Sequence, residues 1–87
     1  MHLKHILVPH RYEAEDILKL LKEGKDFSEM AKKRSQCPSA ASGGDLGNLK
    51  GKKLDPDFEE AAEILKPGQM SGIVRTRFGF HIILRVA

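Results

Sequence analysis

A chain of 87 residues, 40% hydrophobic and 31% charged, makes one small domain (residues 1–87) with a modest core, which excludes a wholly disordered segment. Its net charge of +3 comes from basic and acidic residues interleaved along the chain. Lys50, Lys52 and Lys53 form a dense basic cluster, which reads as a solvated loop face, so no nucleic acid is expected as partner. The single cysteine, Cys37, permits no internal disulfide, which points to a reducing compartment. Residues 1–8 carry no charged leader followed by a long apolar run, and no stretch approaches a membrane span. The expectation is a soluble, cytoplasmic domain held together by packing.

Leu3–Val8 is short, rich in branched side chains and stopped by Pro9, as a strand would be. Ala14, Ile17, Leu18 and Leu21 then recur at i, i+3, i+4 and i+7, predicting a helix with Glu15 four residues before Lys19 and Gly24 as its left-handed stop. Asp26-Phe27-Ser28-Glu29 has the form of a capping box opening a second helix, with Phe27, Met30 and Ala31 turned inward.

Ser35-Gln36-Cys37-Pro38-Ser39-Ala40-Ala41-Ser42-Gly43-Gly44-Asp45-Leu46-Gly47 cannot be helix interior, because three glycines and a proline are each costly there. It predicts an irregular loop, with room for one helical turn around Ser39–Ser42, running into at most a short strand over Leu46–Lys50. Asp55-Pro56 starts a third helix, an acid at the cap and proline in the first turn. That helix carries Phe58, Ala61, Ala62 and Leu65 inward and stops at Lys66-Pro67-Gly68. Two strands close the chain, Ser71–Thr76 and Gly79–Val86. In the second, Phe80, Ile82, Leu84 and Val86 point to one face and His81, Ile83 and Arg85 to the other. The order β-α-α-loop-β-α-β-β implies an α+β domain with helices packed on a small sheet.

His5 falls in the first strand and His81 in the last. First and last strands are often central neighbours in such a sheet, which would set two imidazoles side by side and hydrogen-bonded. The pattern alone also leaves open two unrelated, half-exposed histidines. A metal site built from His2, His5, His10 and Cys37 is disfavoured, because His2 and His5 are three apart in a strand and no metal-ligand spacing is present. Cys37 could be a nucleophile with a histidine base, but a lone cysteine is more often a small apolar residue, and no oxyanion hole is legible. Gly44-Asp45-Leu46-Gly47 fits a GxxG pattern without the flanking helices of an RNA clamp. Leu54 and Phe58, four apart at a helix start, fit plain core packing.

Taken together, His5-Ile6-Leu7-Val8, Ser35-Gln36-Cys37-Pro38-Ser39, Gly43-Gly44-Asp45-Leu46-Gly47, Gly68-Gln69-Met70-Ser71 and Thr76-Arg77-Phe78-Gly79-Phe80-His81-Ile82-Ile83 resemble, in order and spacing, the parvulin peptidyl-prolyl cis-trans isomerases over almost the whole chain. The resemblance is greatest to small stand-alone parvulins. It implies a β-α-α-α-β-α-β-β fold, a four-stranded antiparallel sheet surrounded by helices. It implies non-covalent rotation about Xaa-Pro bonds in peptides and unfolded segments, by a monomer without cofactor or metal. By the same resemblance His5 and His81 match the family's paired histidines, Cys37 its active-site cysteine, and Thr76 the threonine bonded to the pair. Leu46, Leu54 and Phe58 match the proline pocket, with Phe78 on its flank. Leu54 stands where methionine is common. The phosphate-selective branch carries a long basic loop after the first strand; here Pro9 holds the matching lysine position and only His10 and Arg11 precede the helix, so phospho-Ser/Thr-Pro selectivity is not expected. The rival readings are a non-catalytic binder of Pro-containing segments, or a small basic nucleic-acid binder.

Overall fold

The structure, a computed structural model, describes residues 1–48 and 54–87. Strand β1 (His2–Val8) leads into helices α1 (Arg11–Lys22) and α2 (Phe27–Arg34), a single 3-10 turn over Pro38–Ser42, strand β2 (Asp45–Asn48), helix α3 (Pro56–Glu63) and strands β3 (Val74–Thr76) and β4 (Gly79–Arg85). The four strands form one antiparallel sheet in the order β2-β1-β4-β3. The first and last strands are therefore its centre, as the histidine argument required.

The register of β1 against β4 sorts every side chain. Ile6 opposes Ile82 and Val8 opposes Phe80 on one face; His5 opposes Ile83 and Leu7 opposes His81 on the other. Because side chains alternate along a strand, each face is a separate core. On the first, Ile6, Val8 and Ile82 pack against Ala14 and Ile17 of α1 and Phe27, Met30 and Ala31 of α2. On the second, Leu3 and Ile83 pack against Phe58, Ala62 and Leu65. The sheet thus separates a two-helix layer from a one-helix layer, and the histidines lie on the thinner side.

Local signals act much as the sequence implied. Gly24 leaves α1 with φ +103°, a conformation costly for any residue with a Cβ. The Asp26 carboxylate accepts the Glu29 N–H at 3.0 Å, and the Asp55 carboxylate accepts the Asp57 N–H at 3.0 Å. On α1, however, Glu15 pairs with Arg11 at 3.2 Å.

Three expected boundaries move. Helix α3 ends at Glu63, before Leu65 and Pro67: proline disfavours helical geometry at the residue before it, and the chain turns so that Leu65 is buried while Ile64 points outward. The Leu65 carbonyl, no longer in a helix, accepts from Arg85 Nη1 at 2.7 Å. Strand β3 is three residues rather than six. Ser71 is the reason: its Oγ accepts the Ile83 N–H at 2.9 Å while its own N–H donates to the Ile83 carbonyl at 2.8 Å. A side-chain oxygen has replaced the carbonyl a ladder would use, and Gly72 and Ile73 loop past before pairing resumes at Val74. Strand β2 begins at Asp45; its expected extension to Lys50, and the basic cluster Lys50, Lys52 and Lys53, lie outside the described residues.

Candidate active site

Diagonal neighbours on the thin side of the sheet, His5 and His81 stack at 5.2 Å between ring centroids and meet through their Nδ1 atoms at 3.0 Å. Both are buried, as is Thr76, whose Oγ1 lies 2.7 Å from His81 Nε2 and accepts the Phe78 N–H at 3.1 Å. Among the described residues the acceptor within reach of the buried threonine hydroxyl proton is His81 Nε2, and we assign the direction that leaves that proton bonded, the hydroxyl donating to a bare Nε2. His81 Nδ1–H then donates to His5 Nδ1, and the His5 proton sits on Nε2, a buried atom with no partner among the described residues. One hydroxyl thereby sets the tautomer of two rings. Phe58 closes the group, meeting His5 edge-on at 5.5 Å and His81 at 5.2 Å.

The loop of small residues is laid against the end of β1. Ser35 Oγ accepts the N–H of Leu7 at 3.0 Å and of Cys37 at 3.4 Å, and the Gln36 N–H donates to the Leu7 carbonyl at 2.7 Å. These bonds place Cys37 at the sheet's edge, where Pro38 starts the 3-10 turn. Gly44 brings the loop back with φ +81°, so close that a Cβ there would collide with the His5 carbonyl. Its own carbonyl accepts the His5 N–H at 2.9 Å.

Leu46 owes its position to an irregularity. Leu3 pairs with Gly47 but Lys4 pairs with Asp45, so Leu46 is an extra residue in the ladder. Such a bulge re-aims a side chain, and here it sends Leu46 into the cavity beside α3. Asp45, at the strand's start, accepts the Gly47 N–H at 2.7 Å and bonds His2 Nε2 at 2.7 Å, pinning the bulge to β1.

The result is one cavity of about 340 Å³ in which His5, Cys37, Leu46, Leu54, Phe58, Phe78 and His81 all appear. Thr76 stands behind His81. The seven residues come from six separate segments, and every expected site residue is either on this wall or bonded to it. Leu7, Gln36, Pro38 and Asp55 also line the cavity and were not expected to. Leu7 is the alternate-residue neighbour of His5, so strand periodicity held the signal for it. Asp55 was legible only as a helix cap.

Burial sets the electrostatics. The His5 imidazolium would lose its water and face His81, and its pKa falls from 6.5 to about 4. Burial also lowers that of His81, partly opposed by the nearby Asp55 carboxylate. Both rings are neutral at pH 7, a hydrogen-bonded dyad in an apolar wall rather than a charged site. His2 and His10 are occupied elsewhere, on Asp45 and stacked on Tyr12. Among the described residues no group of three His, Cys, Asp or Glu side chains is placed to hold a metal.

A four-stranded β2-β1-β4-β3 sheet, a loop carrying a cysteine and an apolar pocket over two joined histidines define a rotamase domain of the parvulin class. The chain belongs to that family: the Rotamase family model, described as a PPIC-type PPIase domain, matches residues 5–87. It is 49% identical over 80 residues to the foldase protein PrsA of Geobacillus sp. strain WCH70, covering 91% of this chain and 29% of that protein. It is 47% identical over 75 residues to the peptidyl-prolyl cis-trans isomerase pin1 of Schizosaccharomyces pombe, covering 85% and 43%. The chain therefore spans less than half the length of either. In three dimensions it resembles PrsA of Bacillus subtilis (TM-score 0.94, 41% identity, 100% of this chain and 34% of that one). The solution structure of NmPin, the parvulin of Nitrosopumilus maritimus, matches end to end (TM-score 0.85, 38% identity, 100% and 95%).

Proposed function

We propose that this chain accelerates cis-trans rotation about Xaa-Pro bonds in peptides and in unfolded or flexible protein segments, and so assists folding. The observation that carries the reading is an apolar cavity with room for a prolyl ring, walled by a neutral imidazole pair and a thiol. The rotation barrier of ~18–20 kcal/mol is amide resonance, and in X-Pro bonds it makes exchange slow enough to limit folding. A catalyst must therefore favour the twisted amide over the planar one, and no covalent step is needed.

In this reading Leu46, Leu54, Phe58 and Phe78 hold the prolyl ring while the preceding carbonyl swings. Cys37, His5 and His81 set the polarity beside it, with Thr76 holding His81 in one tautomer. Holding the ring in a dry pocket removes water that would stabilise the planar amide's dipole. A thousandfold acceleration asks for only ~4 kcal/mol, which ring anchoring and one well-placed hydrogen bond can supply.

The substrates are unphosphorylated. Only Pro9 and His10 separate β1 from α1, Arg11 is engaged by Glu15, and the cavity wall includes a carboxylate, Asp55. Two isolated basic groups make no bidentate cradle for a phosphoryl group. We place the work in the cytoplasm, where a reducing medium keeps the Cys37 thiol intact, and in a monomer, since one copy supplies all the named site residues. Nucleic acid and membrane are not partners in this proposal; among the described residues no helix is long and apolar enough to cross a membrane.

The test is an isomerisation assay on Xaa-Pro peptides, phosphorylated and not, by exchange spectroscopy and by refolding of a proline-limited protein. Acceleration is expected on unphosphorylated peptides. Binding without acceleration would make the chain a non-catalytic Pro-peptide module, and salt-dependent binding of DNA or RNA would add the partner excluded above.

A further inference from the structure

One charged group on the cavity wall has no task in ring anchoring or amide rotation. The Asp55 side chain is only 9% exposed and lies beside Leu54. Its Oδ1 caps α3 by accepting the Asp57 N–H. Its Oδ2 faces Arg77 Nε at 3.5 Å, longer than the ~2.7–2.9 Å of a good charge-assisted bond and through one nitrogen rather than the guanidinium fork. Arg77 itself is 75% exposed, and its guanidinium carbon lies 5.0 Å over the Phe78 ring. The cation thus spans the rim between an inner carboxylate and the outer aromatic wall. A carboxylate has about four acceptor positions, and among the described residues this one has a single backbone N–H and a long contact to a solvated arginine. With the arginine solvated and the contact long, the pair contributes little, so the seat opposite Oδ2 is exchangeable.

We propose that Asp55 selects segments with a lysine or arginine adjacent to the proline, and that Arg77 is the internal stand-in for that residue. The proposal rests on the isomerase reading and specifies its substrate class. A substrate ammonium or guanidinium takes Arg77's place at Oδ2, and Arg77 turns to solvent while still able to stack on Phe78. The exchange replaces one cation by another, so the carboxylate is never left unpaired. An acidic residue at the same place meets Arg77 on the wet side, where attraction is screened, and Asp55 on the dry side, where repulsion is not. The buried charge decides the sign.

The experiment measures kcat/KM by exchange spectroscopy on short peptides carrying Lys, Ala or Glu immediately before or immediately after the proline, at low and high salt. Wild type is expected to favour Lys over Glu about tenfold at one of the two flanks, with the preference persisting as salt rises because the Asp55 contact is shielded from solvent. Asp55→Asn preserves the cap, since asparagine caps as well as aspartate, and is expected to abolish the preference. Arg77→Ala, lacking the internal competitor, is expected to enlarge it several-fold. Equal rates for Lys and Glu peptides at both flanks would overturn the proposal. So would a preference unchanged in Asp55→Asn, or one reduced in Arg77→Ala; the last carries the test alone if Asp55→Asn fails to fold. If no peptide is accelerated, the isomerase reading fails separately, and chemical-shift titration of the same peptides still decides the charge preference.

Discussion

Two imidazoles facing each other through Nδ1 can hold only one proton along that bond, and which ring holds it is decided behind them, at Thr76. Thr76 Oγ1 joins the Phe78 N–H to His81 Nε2, so a side chain outside the cavity dictates the wall's donor pattern. Thr76→Val keeps the shape and strands both partners, each unpaired buried polar group costing about 1–3 kcal/mol. We expect a clear fall in melting temperature together with a changed His81 nitrogen-15 shift; an unperturbed His81 would mean the threonine only fills space. Cys37 is expected to act through its polarity. Cys37→Ser should retain kcat/KM within about tenfold, because nothing in a rotation about a single amide requires a nucleophile. A loss beyond a thousandfold, with a thiol adduct trapped in wild type, would contradict this.

At the scale of elements, the site depends on where regular structure stops. The bulge that turns Leu46 inward, the 3-10 turn behind Cys37 and the Ser71 interruption of the β3 edge are all departures from ladder or helix. Each has a chemical cause in a single side chain or glycine. Gly44 shows how little slack there is: it needs φ +81° and its missing Cβ is where the His5 carbonyl passes. Gly68, at φ +86° with open space around it, is the internal control. Both alanine variants pay about 1–3 kcal/mol for the left-handed backbone, but Gly44→Ala must also push β1 and β2 apart. In urea unfolding it is therefore expected to be the more destabilised by a further 1 kcal/mol or so. Equal losses would show that the close approach is not tight.

For the whole molecule, burying a neutral histidine pair links stability to pH. The folded His5 pKa of about 4 lies below its ordinary 6.5, so as pH falls the unfolded chain takes the proton first. Stability is then full above about pH 6.5 and declines towards pH 4, by up to about 3 kcal/mol from this group alone. His81 shifts in the same direction. Asp45, held below its usual range by the Gly47 N–H and His2, adds a loss only at still lower pH. Urea midpoints at pH 7, 5.5 and 4 check this; a flat profile across that range would mean the histidines are charged, or exposed, in the folded protein.

The chain's own pattern determined a good deal. Period-two alternation in β4 separates His81 and Ile83 from Phe80 and Ile82, and helical spacing finds the inward faces of α1, α2 and α3. Asp26, Asp55 and Gly24 mark ends through local hydrogen bonds and backbone conformation, and such signals need no partner across the fold. The order of the short motifs also sufficed to indicate the family and to name residues that the fold gathers at one cavity. Where Ser71 and Leu46 broke or bent an element, the cause was a bond or a register set by a distant strand. No local rule contains that information. Only the tertiary structure decided that His5 and His81 touch, that Thr76 sets their proton, and that the cap residue Asp55 is also a charge on the pocket wall. Those facts depend on β1 lying beside β4 and α3 lying across them. That arrangement is fixed by which apolar faces can be buried together, not by any one stretch of sequence.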